Sequence, residues 1–174
     1  MMQPTSRWPS RLGLRGRRAA SALAGLFLVM LSTPASADWE YTRWGMSPEQ
    51  VAQASGGAVK VLPPGKRRHH PAPFSSETAA EGTFTEGALR LEVSFSFDLQ
   101  STGLTCVVLN SSGQDELLRQ SFFRRLGKPQ STDDHAAAGM KTFTWRGKDE
   151  VGLTLMNGSS FATECKRGTI PPIE

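Results

Sequence analysis

The chain has 174 residues, 38% of them hydrophobic and 21% charged, which is enough apolar material for one domain or two small repeats packed together. Its 20 Lys and Arg exceed its 16 Asp and Glu, but Arg7, Arg11, Arg15, Arg17 and Arg18 all precede residue 38 and no acid does. Residues 38–174 therefore hold 15 basic and 16 acidic groups, a net charge of −1, and global charge gives no support to nucleic-acid binding.

The first 37 residues have the three parts of a secretion signal. The arginines form a positive n-region, Ala19–Leu31 is an apolar run, and Ala35-Ser36-Ala37 places small side chains where a signal peptidase reads, so Asp38 is the expected mature N-terminus. A membrane anchor is the alternative. Thirteen apolar residues rise only about 20 Å as a helix, however, and a span needs about twenty. No Cys near the cleavage site offers a lipid attachment point. Arg17-Arg18 is followed by Ala19-Ala20-Ser21 rather than bulky apolar residues, which favours ordinary export over the twin-arginine route. The expectation is a single exported domain over 38–174, periplasmic or secreted, with no stable membrane anchor after cleavage. Cys106 and Cys165 then read as one disulfide, with two buried thiols as the alternative.

Along the mature chain, Trp39-Glu40-Tyr41-Thr42-Arg43-Trp44 alternates and is aromatic, predicting a short strand with Trp39 and Tyr41 on one face and Trp44 on the other. A helix start follows. Ser47 can be the N-cap, Pro48 stands at N1, Gln50 completes a capping box, and Met46 and Val51 take the staple positions. Ser55-Gly56-Gly57 ends this helix, and Ala58–Leu62 is extended. Residues 63–82 are rich in Pro, cations and small polar groups. With few apolar anchors to offset the entropy of ordering, they are expected to be a mobile loop. Ala88–Asp98 then has period two, with Leu89, Leu91, Val93, Phe95 and Phe97 alternating with polar residues. Leu104–Leu109 is apolar on both faces and hence more central.

A second helix, capped by Ser111 or Ser112, carries Leu117, Leu118, Phe122 and Leu126 at spacings of three or four and ends at Gly127 before Pro129. Pro129–Gly139 reads as a turn region. Strands are predicted at Thr142–Arg146, Val151–Met156 and Ser160–Lys166, with Asn157-Gly158 suggesting a tight hairpin. A two-residue turn there would set Leu153 opposite Ala162 and leave Phe161 and Cys165 on the other face. A longer loop or bulge would pair Leu155 with Phe161 and Val151 with Cys165 and bury more, so the longer loop is favoured. The fold class is α+β: an antiparallel sheet with two helices on one face. The order helix, strands, helix, strands also points to two tandem helix-plus-sheet repeats. Thr83-Phe84-Thr85 precedes Cys106 by the interval that separates Thr142-Phe143-Thr144 from Cys165. Chance spacing of common residues is the alternative.

The stretch Trp44-Gly45-Met46-Ser47-Pro48-Glu49-Gln50-Val51 resembles the Gly-Met-Ser/Thr-x-x-x-Val helix start of small bacterial envelope proteins of the SmpA/OmlA outer-membrane assembly type. Leu126-Gly127-Lys128-Pro129 and Thr144-Trp145-Arg146 are similar to later stations of the same families. β-Lactamase-inhibitor-like proteins share the helix-then-antiparallel-sheet unit, sometimes in tandem. The resemblance covers some twenty-five residues and lacks the lipidated Cys of the lipoproteins. It implies a fold and a habit of binding proteins, and no catalytic residues.

Candidate chemistry is sparse. Lys66-Arg67-Arg68-His69-His70 suits an electrostatic contact with anionic lipid, cell-wall polymer or an acidic protein face, strengthened as histidine protonates. As a metal site it is poor, because adjacent side chains diverge and neighbouring cations repel a further one. Asp133-Asp134-His135 could offer ligands to a divalent ion but lacks evident further donors. No Gly-x-Ser-x-Gly elbow and no phosphate-binding Gly-rich loop is present, so neither catalytic residues nor a cofactor is assigned. The reading is a non-enzymatic periplasmic protein that binds another envelope or secreted protein through Trp39, Tyr41, Arg67, Arg68, His69 and His70. The alternatives are an inhibitor-like module that blocks an exported enzyme, and a small periplasmic hydrolase or ligand carrier.

Overall fold

The computed structural model describes residues 39–169, Pro73 excepted. The signal segment and the cleavage point at Asp38 lie outside the described residues. Helix α1 spans Pro48–Ala54 and α2 spans Asp115–Leu126. Nine strands accompany them: β1 Val59–Val61, β2 Arg68–His70, β3 Ser76–Glu86, β4 Leu89–Asp98, β5 Leu104–Ser112, β6 Ser131–His135, β7 Met140–Arg146, β8 Asp149–Met156 and β9 Ser159–Lys166. They form one antiparallel sheet in the order β1-β3-β4-β5-β9-β8-β7-β6, with β2 pairing β3 beside β1. The class is α+β, as the sequence predicts.

The capping box of α1 forms as read. Gln50 N–H donates to Ser47 Oγ at 3.3 Å and Ser47 N–H to Gln50 Oε1 at 2.8 Å, so two backbone donors at the helix start are satisfied. Val51 is fully buried and Met46 packs on the core. Gly103 permits a close crossing just before this helix: a Cβ there would lie 2.8 Å from Gly45 Cα, and Gly45 N–H bonds Leu104 O across the same gap. Gly82 plays a like part under β1, where a Cβ would meet Ala58 O at 2.4 Å.

Register makes the two faces of the sheet explicit. Ala80, Phe95, Val107, Glu164, Val151 and Trp145 form one cross-strand row. Two residues along lies the row Gly82, Val93, Leu109, Ala162, Leu153 and Phe143. Both rows face the core, which also takes Val51 from α1 and Leu118 and Phe122 from α2. The next row along, Thr83, Glu92, Asn110, Phe161, Thr154 and Thr142, points the other way, because successive side chains alternate. The helices therefore share one face.

The two halves have the same element order, a helix followed by strands, and meet where β5 pairs β9. Cys106 and Cys165 are direct partners in that pairing and form a disulfide. The two Thr-Phe-Thr stretches lie in β3 and β7, and Thr83 and Thr142 stand at opposite ends of one row, each followed by a Phe on the core side.

Five expectations need correction. Trp39–Trp44 is not a strand: Thr42 N–H and its hydroxyl both bond Trp39 O, and Glu40 has a φ of +48°, so the segment is a tight turn with an isolated Trp39–Thr42 bridge. Residues 63–82 are not a featureless loop. They carry a 3-10 turn at Pro64–Lys66, strand β2 and the start of β3, since acids on β3 pair with the cations of β2. Pro129–Gly139 contains β6, an exposed edge strand built on β7 despite its polar composition. Helix α2 starts at Asp115, and Ser111 and Ser112 belong to β5. Gln114 is the N-cap, its side chain spent on Arg90 N–H and Ala88 O. Finally, Leu153 pairs with Ala162 and Thr154 with Phe161, so the β8–β9 hairpin has the two-residue register, not the longer loop. The longer loop is favoured only if Phe161 and Cys165 both seek the core; instead both lie on the outer face, where Cys165 meets Cys106.

Candidate functional site

Of the six residues read as a binding surface, the structure separates the aromatic pair from the basic cluster. Trp39 is only 2% exposed and makes edge contacts with Tyr41, Phe84 and Phe95 at centroid distances of 5.8, 5.3 and 5.8 Å. It is a core residue, so the exposed aromatic strand does not exist. Tyr41 is half-buried, and burial, with Glu40 beside it, pushes its hydroxyl pKa up to about 12.

The basic cluster is largely spent on its own sheet. Arg67 pairs with Glu77 at 2.8 Å and donates to Leu62 O at 3.1 Å, Arg68 pairs with Glu81, His69 Nδ1 lies 3.3 Å from Glu77, and His70 Nε2 bonds Thr78 Oγ1 at 3.1 Å. Such pairing leaves little free charge for an anionic partner. Asp133 and His135 stand exposed on β6, and Asp134 pairs with Lys141 at 3.1 Å.

Two features emerge that linear reading missed. The first is the face of the sheet opposite the helices. Its first half holds two adjoining hollows of about 550 and 420 Å³ that share Thr83 and Glu92; Lys60, Ser94, Arg90 and Asn110 lie around them. Its seam holds Val108, Asn110, Phe161 and Thr163 beside the disulfide, all but Asn110 half-buried. Among the described residues neither helix packs on this face. It mixes hydroxyl and amide groups with the charges of Lys60, Arg90 and Glu92 and one aromatic, a surface able to form polar contacts around an apolar one.

The second feature is an ion pair under α2. Glu164 lies on the core side of β9, 4% exposed, between Val107 and Val151, and accepts a 2.7 Å hydrogen bond from Arg125. Burial raises the pKa of Glu164; Arg125 opposes that, while Asp149 and Glu40 reinforce it. Arg125 also lies over the Phe122 ring at 4.9 Å. The preceding residue, Arg124, pairs with Glu86 on β3, whose carboxylate also accepts from Ser121 at 2.6 Å and is held below its ordinary pKa by that bond and by Arg124. Consecutive arginines of α2 thus grip one carboxylate on each half of the sheet. The signal for Glu164 was present in the sequence: accepting the Asn157-Gly158 two-residue register puts Glu164 opposite Val151.

Comparison with known proteins adds no relative, since no family model, curated protein or solved structure matches the chain. No helix among the described residues is long and apolar enough to cross a membrane.

Proposed function

We propose that this chain is an exported, non-enzymatic binding protein that holds another envelope or secreted protein on the helix-free face of its sheet. The observation that carries this reading is the asymmetry of the sheet. Two helices and every apolar row occupy one side, while the other presents Asn110, Phe161 and Thr163 at a seam joined by Cys106–Cys165. A binding face gains from such a scaffold, because a preorganised sheet loses little conformational entropy when a partner docks. Export is supported by the arginine-led N-terminus and by the paired cysteines, since disulfides persist in oxidising compartments. The tandem helix-plus-sheet order favours, as a second reading, an inhibitor-like module whose partner is an exported enzyme.

Photo-crosslinking in the native cell tests the face. A benzophenone amino acid at position 110 or 163 should give a discrete protein adduct, and one at exposed Leu117 on α2 should not. Absence of adducts at the sheet positions, or equal adducts at Leu117, refutes the proposal. If the captured partner is an enzyme that loses activity on adding the purified chain, the inhibitor reading holds.

A further inference from the structure

The two most exposed large apolar side chains among the described residues stand together. Phe74, 52% exposed, lies in the turn before β3, and Leu99, 45% exposed, opens the β4–β5 turn. Leu99 N–H bonds Ser75 O at 3.1 Å, so the two turns are tied side by side. Each is also braced from within. Phe74 and Ser75 N–H bond Pro71 O at 3.1 and 3.3 Å, and the Asp98 carboxylate accepts from Gln100 and Ser101 N–H at 3.1 and 2.6 Å. Ser75 and Thr102 hold a left-handed backbone there, with φ of +43° and +56°; elsewhere among the described residues only Glu40 is a non-glycine with positive φ. Backbone strain and exposed apolar surface each cost stability, and their coincidence marks a surface shaped to meet something else.

Strand register puts this pair at one end of the sheet, where Ser76 faces Asp98, Cys106 faces Cys165, and Lys166 faces Asp149. Four exposed cations gather at the same end. Arg146 and Lys166 close β7 and β9, Arg167 reaches Gly147 O at 3.5 Å, and Lys128 follows Gly127, whose carbonyl accepts from Trp145 Nε1 at 3.1 Å. Among the described residues none of the four is in a salt bridge with an acid. Asp98, Asp149 and Glu150 stand nearby, each only half-exposed; Asp98 is engaged by its own turn and Asp149 by Trp44 Nε1 at 2.7 Å. The Ser101 bonds and, more weakly, Lys166 hold Asp98 below its ordinary pKa, which sets that lysine beside the Leu99 turn.

We propose that this end of the sheet docks reversibly on an anionic phospholipid surface, with Phe74 and Leu99 entering the acyl boundary and the four cations meeting the phosphates. Cations alone would suit any soluble polyanion. Apolar tips beside them reproduce the layering of a membrane interface, where the acyl boundary accepts such side chains without a matching pocket and each nearby Lys or Arg adds attraction to anionic headgroups. The helix-free face runs along the sheet and this site lies at its end, so the two surfaces can be occupied together and stand or fall independently.

The test is flotation of the protein recovered from its native cell with phosphatidylcholine vesicles containing about 30 mol% phosphatidylglycerol. Binding should exceed that to phosphatidylcholine alone by at least about tenfold and weaken as salt is raised. Phe74→Ser with Leu99→Ser, both at exposed positions, should weaken it about tenfold without changing the far-ultraviolet spectrum. Lys166→Gln with Arg167→Gln should weaken it by a similar factor, about tenfold. A tryptophan introduced as Phe74→Trp should be quenched by brominated acyl chains, and one introduced as Leu117→Trp on α2 should not. The proposal is overturned if no protein floats at roughly 5 mM lipid, or if vesicles without phosphatidylglycerol bind equally. Undiminished binding of the Phe74→Ser, Leu99→Ser variant, or equal quenching at position 117, overturns it as well. A benzophenone amino acid at position 74 that captures a protein in the cell, while vesicles stay unbound, assigns the tip to a protein partner instead.

Discussion

Glu164 and Cys165 are neighbours on β9 and serve opposite faces: the carboxylate enters the core to meet Arg125, and the sulfur joins Cys106 on the other side. One register produces both. Had the β8–β9 hairpin slipped by one residue, the disulfide would be impossible at the seam and a charged side chain would face water instead of α2.

That register makes Arg125 the guarantor of a buried charge. Replacing Arg125 with Ala leaves the buried Glu164 carboxyl without its cation between Val107 and Val151. Because Arg125 is itself 37% exposed, the expected loss is about 1–3 kcal/mol in urea unfolding, below the range for a fully buried pair. The double variant Arg125→Ala with Glu164→Gln should recover most of it, since an uncharged amide costs less to bury.

The pH dependence of that pair follows from its sign. Glu164 has a folded-state pKa above its unfolded value, so the folded protein takes up the proton first. Its contribution to stability therefore grows as pH falls from the raised pKa toward about 4.5. Glu86, with a lowered pKa, behaves oppositely: its contribution is complete above its unfolded pKa and is lost as acid protonates it in the folded state. Urea titrations of wild type and Glu164→Gln across mild acid should show the wild type gaining on the variant as pH falls. A difference that is flat, or of the other sign, contradicts the burial of Glu164.

The disulfide closes a separation of 59 residues and should stabilise the fold by about 4 kcal/mol in the chain-entropy picture. Cys106→Ala with Cys165→Ala should lower the urea midpoint accordingly, without changing the far-ultraviolet spectrum. Thiol titration of the denatured, unreduced wild type should find neither Cys106 nor Cys165 free.

Deleting residues 66–70 removes β2, the Arg67–Glu77 pair and the bond from Arg67 to Leu62 O. It also leaves Glu77, with a side chain only 16% exposed, without its cation. The melting temperature should fall by more than about 5 °C, a shift of at least 1 kcal/mol for a domain of this size. An unchanged melting temperature would restore the mobile-loop reading.

Strand β6 is exposed along its whole length and pairs only with β7 among the described residues, so Asp133 and Asp134 guard an open edge. Asp133→Thr with Asp134→Thr should raise self-association. Sedimentation velocity over a concentration series will show it as a growing larger species absent from the wild type.

Much of this protein is legible in its residues because local chemistry decided it. Ser47, Pro48 and Gln50 specify the start of α1 through bonds made within four residues, and the alternation from Leu89 to Phe97 specifies which side chains share a face. Sequence order likewise determined the two helix-plus-strand halves. What no local pattern states is which face a strand turns to the core, since alternation is symmetric until a partner strand is present. Trp39 is buried because Phe84 and Phe95 arrive from distant strands, β2 and β6 exist because β3 and β7 supply the ladder, and Glu164 can be buried because Arg125 reaches it from α2. Those outcomes depend on neighbours brought together by folding, and only the tertiary structure decides them.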